Sequence, residues 1–450
     1  MMRSIILFVF IFVNACSLID ISPDHVVSTE RAFDRVIDYQ MALNRVYYSL
    51  TSPLMNVSAT DYATDDYTHV IEGYAPTNYY IYQWNYHSQP QPSIWRNQYK
   101  LISETNVIID NYSIVHVKND EEKTQKDHIL AQALGLRAWF FFNLVYIYAP
   151  AYNKVNESLL TIPLKLKLDR EYLSPASLKD VFLQIHNDLE KAEELLSDFK
   201  PAKLDKQYLF DLDAVRALIG RIALYQGDYK RAKKYAGYFI NIPLLDKKDY
   251  WKLWGNQYDL ENNEVIFMTH NLSDSEAGAL LDYHQQYETN NVVLNSNFVN
   301  TFDKEDIRIE DQYIHSNTRR PLKYLYIKNS NNDKETLMLN YKYFRLAEQY
   351  LIYAESVLKT NEKEALTVFN QLRTSRGVKP LMNLSLNDII KERRKEFFQE
   401  GLRFYDLKRI SDKLDIVVER ANGNKLIPKS DKYTFDIPLD EVNSNPYIDD

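Results

Sequence analysis

Apolar residues recur along most of this chain at the spacing of amphipathic helices, and the departures from that spacing mark its loops and ends. Nine apolar residues run from Ile5 to Val13, followed by "SLIDISPDHVV", an extended stretch in which Pro23 bars a helix. The pattern predicts an amphipathic helix from Thr29 to Leu50. Residues 51–92 are crowded with Tyr, Asn, Asp, Thr and Pro, keep no sustained period and read as irregular. A helix from Pro92 to Asn111 carries Trp95, Tyr99, Ile102, Asn106 and Ile109 on one face. Residues 125–148 make the most apolar helix. Leu134, Ala138, Phe141, Val145 and Tyr148 form its stripe, and Phe140, Phe142 and Leu144 extend the apolar surface all round, so this helix is predicted to be buried. Pro150 ends it, and a loop with Pro163 and Pro175 leads to a helix over Leu178–Leu196, with Ser177 as cap and Asp180 at the capping-box position.

Two helical hairpins follow. "DAVRALIGRIALYQGDYKRAKKYAGYFI" turns at Gly227-Asp228, and "FRLAEQYLIYAESVLKTNEKEALTVFNQLRTSRG" turns at Thr360-Asn361 and ends at Gly377. Small residues sit where paired helices must approach: Ala217, Ala223 and Ala232 in one, Ala347, Ala354 and Ala365 in the other. This is the pattern of degenerate tetratricopeptide-like hairpins, without a persistent repeat length. Between them, "EVIFMTH" and "NNVVLN" read as short strands, and "YTFDIPLDEVNSNPYID" reads as an extended tail. The fold class expected is all-α dominated: a superhelix of helical hairpins with long loops and a few short strands.

"RRKEFFQEGLRFYDLKR", Arg393–Arg409, reads as one more helix, with Arg393, Phe397, Glu400, Phe404 and Leu407 on one stripe. A carboxylate that shares a face with two rings is buried, and a buried carboxylate needs a partner. Arg393, Arg403 or Arg345 could supply it, and Gly401 would admit a second backbone. The stretch is read as a structural ion network, not a catalytic cluster.

Composition narrows the function. Net charge is −8, which argues against a nucleic-acid partner. Only 10 glycines occur in 450 residues, which disfavours phosphate-binding loops. The single cysteine, Cys16, follows Val13-Asn14-Ala15 after the apolar run, which reads as a signal peptide (residues 1–15) and a lipidation site at Cys16; Asn14 departs from the usual pattern, and an unlipidated signal peptide is the alternative. No nucleophile elbow, zinc-binding helix, P-loop or dinucleotide fingerprint occurs, and the nine histidines lack metal-ligand spacing, so no cofactor and no metal are expected. The better chemistry lies in "APTNYYIYQWNYHSQPQPSIW". Tyr80, Tyr82, Trp84 and Tyr86 offer rings that stack on sugars, and Asn85 offers an amide for hydroxyls; the bland alternative is that the rings pin a loop. "DYHQQYETNN", Asp282–Asn291, is a second candidate loop.

Several stretches, in this order, resemble the SusD/RagB family of Bacteroidetes surface lipoproteins: "CSLIDISP", "ALGLRAWFFFNLVYIYAPAYN", "DVFLQIHNDLEKAEELL", "RALIGRIALYQGDYKRA", "FRLAEQYLIYAES", "ERRKEFFQEGLRFYDLKR" and "FDIPLDEVNSNP". Ala149 stands where a glycine is commoner in the family. The resemblance implies a lipidated tether at 16–28, an N-terminal helical region at 29–240, and a C-terminal region at 241–450 that includes the loop-rich 241–340. It implies a non-catalytic protein on the cell outer membrane, lipid-anchored and facing outward, which binds an oligosaccharide or polysaccharide and hands it to a SusC-type TonB-dependent transporter. A peptide ligand in the same role is the alternative, with a surface glycosidase or a pure scaffold further off. The family's ligand contacts lie in variable loops, so none transfers by motif.

Overall fold

The computed structural model describes residues 32–50, 54–69, 79–86, 92–169, 171–202, 206–254, 262–269, 292–330, 333–338, 340–420 and 422–448. Within them, fourteen helices dominate and the strands are short, which bears out the all-α reading. Helix α1 spans Val36–Ser49, starting later than expected, after Arg35, whose backbone N–H and guanidinium both donate to the Asp38 carboxylate in the first turn. Helix α2, Leu54–Tyr62, corrects the reading of residues 51–92 as wholly irregular. Its sequence, "LMNVSATDY", has no apolar stripe to announce it, and α3 (Tyr79–Tyr82) is a single turn.

Helices α4 (Pro92–Asp110), α5 (Asp120–Tyr148) and α6 (Leu178–Leu195) pack side by side. Asn119 caps α5 by accepting from the Glu122 N–H, and Asp120, Glu121 and Glu122 complement the helix dipole. Its apolar length is long enough to cross a membrane, yet 89% of that window is buried inside the protein. Gly135 admits Phe210, whose ring would stand 2.8 Å from an added Cβ. Arg137 fixes the layer, pairing with both Asp188 oxygens at 2.8 Å and with Asn106 at 2.9 Å. Ser177 caps α6 by accepting from the Asp180 N–H.

The two hairpins form as read. Helices α7 (Leu212–Gln226) and α8 (Tyr229–Ala236) turn through Gly227, whose φ of 75° suits glycine. The second arm stops at Ala236, short of the expected Ile240. After the brief α9 (Ser296–Val299), helices α10 (Leu346–Val357) and α11 (Glu362–Ser375) make the second hairpin. Ala223, Ala232, Ala347, Ala354 and Ala365 meet in one core where the hairpins stack, and Arg221 crosses it to Glu348 at 2.7 and 2.6 Å.

The Arg393–Arg409 stretch is not one helix. Helix α12 (Leu386–Glu396) ends, and α13 (Leu402–Leu414) begins after Gln399 and Gly401 both adopt positive φ, 63° and 71°. Gly401 is needed there, since an added Cβ would lie 3.0 Å from Thr60 Oγ1 and 3.5 Å from Val57 Cα of α2. The tail is not wholly extended either, because α14 occupies Leu439–Ser444.

The strands pair antiparallel in twos. They are β1 (Tyr67–His69), β2 (Leu160–Pro163), β3 (Pro175–Ser177), β4 (Val265–Met268), β5 (Val292–Leu294), β6 (Leu325–Ser330), β7 (Asp333–Met338), β8 (Lys342–Arg345), β9 (Val418–Glu419) and β10 (Lys425–Leu426). Strands β4 and β5 are the two short strands expected from the sequence. The pairs are β1 with β5, β2 with β3, β4 with β8, β6 with β7 and β9 with β10.

Candidate ligand-binding region

One cation packs at the centre of residues 79–86. Arg420 donates to the carbonyls of Tyr82, Thr64 and Tyr62 at 2.9, 2.7 and 3.0 Å, and its guanidinium lies 3.8 Å from the Tyr82 ring centre and 4.3 Å from that of Trp84. Burial pushes the guanidinium down to about 10, so it stays charged at neutral pH, where three carbonyls and two ring faces stabilise it. Trp84 takes a left-handed backbone (φ 54°), and its indole N–H donates to the Ala63 carbonyl at 2.8 Å. Tyr86 stacks on Phe435 at 4.1 Å and donates to the Lys432 carbonyl at 3.1 Å.

This geometry corrects the expected stacking platform. Tyr82, Trp84 and Tyr86 are only 5%, 3% and 5% exposed, because their faces pack against Arg420 and Phe435. Tyr80 is half-buried, like Tyr79 and Gln83, and Asn85 is exposed, so these four carry the surface of the segment. Cys16 and the Asp282–Asn291 stretch lie outside the described residues.

The base of this region is a clamp. In the β1–β5 ladder Tyr67 faces Leu294 and His69 faces Val292, so the chain leaves β1 beside the point where it enters β5. The preceding carboxylates tie this ladder to the closing helices. Arg403 of α13 grips Asp65 at 2.8 and 2.9 Å, and Arg394 of α12 bonds Asp66 at 2.5 Å. Burial alone would push the Asp65 carboxyl up, but Arg394 and Arg403 hold it well below the usual carboxylate range.

Behind the clamp lies a buried ion cluster. Arg345 donates to both Glu400 oxygens at 2.8 Å and to Glu396 at 2.8 Å, while Lys323 also pairs with Glu400. Arg308 binds Asp306, Glu392 and Glu396, and Arg376 binds Glu396 and Glu264. Burial opposes ionisation of Glu396, yet Arg376, Arg345 and Arg308 hold its carboxyl well below normal. Burial wins at Lys323, pushing its ammonium down to about 8. Of the residues expected in the network, Arg345 is the partner of Glu400. Arg403 serves Asp65 instead, and Arg393 pairs with Asp406 at 2.8 Å. The helix break rotates both away from Glu400.

Between α4, the 163–173 segment and α14 opens a cleft of about 430 Å³, within the roughly 300–1,000 Å³ of small-molecule sites. Trp95 forms its floor, packing against Tyr99 at 4.9 Å and edge-on to Tyr148 at 5.0 Å. Burial pushes the Tyr148 phenol up, against a hydrogen bond from Trp95 that pulls it down. Glu441 accepts from the Trp95 indole at 3.3 Å, Arg96 meets Asp440 at 3.2 Å, and the Tyr172 ring is 54% exposed at the rim. Rings beside carboxylates and a guanidinium suit a polyhydroxylated ligand with apolar faces. The sequence hid this cleft, because α14 lies more than three hundred positions from α4. Among the described residues no group of three or more His, Cys, Asp or Glu could hold a metal ion.

Residues 18–224 match the family model described as starch-binding associating with outer membrane, and residues 225–449 match that of the SusD family. A SusD-like protein of Bacteroides ovatus is 26% identical over 417 residues, covering 79% of this chain and 74% of the relative. The crystal structure of a SusD-like carbohydrate binding protein from Bacteroides vulgatus has a TM-score of 0.76 and 21% identity, covering 92% of this chain and 98% of that one. Surface glycan-binding protein A from Bacteroides thetaiotaomicron has a TM-score of 0.72 and 18% identity, covering 92% and 98%. At these identities the structural likeness speaks to the fold.

Proposed function

The chain belongs to the SusD/RagB family, and from that premise we propose that it is a surface lipoprotein that captures a glycan and passes it to a SusC-type TonB-dependent transporter without cleaving it. The observation that carries the reading is the match of 18–449 to two family models, one of them described as starch-binding. Cys16 would carry the lipid and the outer membrane would be its location. The acidic cluster favours a non-catalytic role: Glu396, Glu392 and Glu400 are buried and held by cations, and carboxylates so committed make poor acids or bases.

The ligand surface would comprise Tyr80 and Asn85 with the rim of the Trp95 cleft, while Tyr82, Trp84 and Tyr86 set the frame. Stacking at about 0.5–1.5 kcal/mol per ring pair gives modest affinity, which suffices for capture. The test is calorimetric titration of the chain from Ser17 against neutral polysaccharides, oligosaccharides and peptides. One neutral glycan class should bind intact, and Tyr80→Ala with Asn85→Ala should weaken it at least fivefold. Release of shortened products, or binding of peptides alone, would overturn the reading.

A further inference from the structure

We propose that a second cleft, on the hairpin side of the molecule, is a separate site for a carboxylate-bearing sugar. It encloses about 720 Å³ between the 150–156 loop, the α7–α8 turn, the last turns of α13 and residues 429–434, and it shares no lining residue with the Trp95 cleft. Its volume again suits a small ligand.

The walls are built and held. Asn153 braces the loop by accepting from the Val155 and Asn156 N–H groups at 2.8 and 2.9 Å, and Asn156 donates to the Ala151 carbonyl at 2.8 Å. Tyr152 packs edge-on to Phe182 at 4.9 Å, and Gln226 is oriented by His186 at 2.8 Å. Gly227, at the turn, has nothing within 4 Å of where a Cβ would stand. Tyr229 and Tyr433 complete a lining of phenols and carboxamides that suits hydroxyl groups.

Charge selects the class. Lys154, Lys408, Arg409, Lys413 and Lys429 border the cleft, against Asp412 and Asp431. Some of that charge is committed: Arg409 to Glu355 at 2.6 and 2.8 Å, and Lys429 to Asp412 at 2.9 Å. Asp431 accepts from the Lys432 N–H at 2.9 Å, and its carboxylate offsets one of the cations. Lys154 and Lys413 then stand as rim cations, with Lys413 5.8 Å from the Tyr229 ring centre. Lys408 sits buried beneath, its described hydrogen bond going to a carbonyl, that of Tyr146 at 2.7 Å. An anion on a ring with hydroxyls answers the two rim cations, Lys154 and Lys413, among phenols and amides.

The choice of a sugar over another anion rests on the glycan reading above, so the experiment separates the two. The chain from Ser17 is titrated with an oligogalacturonate, a neutral galacto-oligosaccharide of equal length and a polyglutamate peptide. The oligogalacturonate should bind, weaken severalfold between 0.05 and 0.5 M salt, and weaken at least tenfold in the Lys154→Glu, Lys413→Glu variant. Both lysines are exposed, so folding should survive. The variant should leave untouched any neutral-glycan affinity that depends on Tyr80, and Tyr80→Ala should leave oligogalacturonate binding untouched. Absent oligogalacturonate binding, binding indifferent to the two lysines, or equal binding of the peptide would each overturn the second site.

Discussion

Glu400 receives the guanidinium of Arg345, fifty-five positions away, through two hydrogen bonds of 2.8 Å, with both side chains buried. The pair fastens strand β8 to the turn between α12 and α13, and Lys323 joins it from a third segment. Removing Glu400 takes the paired carboxylate from buried Lys323 and leaves Arg345 with Glu396, and breaking a buried pair costs about 3–5 kcal/mol. Glu400→Ala should therefore lower Tm by several degrees in calorimetry. Melting at the wild-type temperature would refute the role given to the pair.

Arg420 should be the pin of the 79–86 segment. Arg420→Ala leaves the carbonyls of Tyr62, Thr64 and Tyr82 without their donor and uncovers two rings. Amide hydrogen exchange over residues 79–86 should speed at least tenfold, which corresponds to about 1.4 kcal/mol, while α5 keeps its protection. Unchanged exchange would mean the segment is held elsewhere.

Lys408 gives a pH signature. Burial pushes its ammonium from 10.5 down to about 7 in the folded protein. Between those values the unfolded chain holds more protons than the folded one, so this group's contribution to stability rises as pH climbs from 7 to 10.5. Below pH 7 both states carry the proton and the full burial penalty applies. Measured by urea unfolding, wild type should gain on Lys408→Met as pH goes from 7 to 10. A difference flat with pH would show that the ammonium is not desolvated as described.

Cys16→Ala should move the protein from the membrane to the soluble fraction, as judged by fractionation and by loss of metabolic fatty-acid label. A variant that stays with the membrane and keeps its label would remove the lipid anchor from the proposal.

The sequence was legible where structure depends on neighbours in the chain. The α5 stripe, the Ser177 cap, the Gly227 turn and the alanine seams of the hairpins all follow from local spacing. It misled where distant charges decide. Arg393, Phe397, Glu400, Phe404 and Leu407 share a stripe only on an unbroken helix; the chain breaks at Gln399 and Gly401, and Glu400 pairs with Arg345 and Lys323, Arg393 with Asp406 and Arg403 with Asp65. The rings of Tyr82, Trp84 and Tyr86 were visible, but Arg420, which covers the first two, lies 338 positions from Tyr82, and Phe435, which covers the third, is as remote, beyond the reach of any periodicity. The Trp95 cleft was hidden for the same reason.

The β1–β5 ladder has a consequence for diversification. His69 stands opposite Val292, so a segment near the start of the chain pairs with one from its middle, and Asp65 and Asp66 beside the ladder are gripped by Arg403 and Arg394 from the closing helices. Three stretches far apart in sequence are thus joined at one point. A change in any one of them that breaks the ladder or the two ion pairs is felt by the other two, so these positions are constrained to vary together.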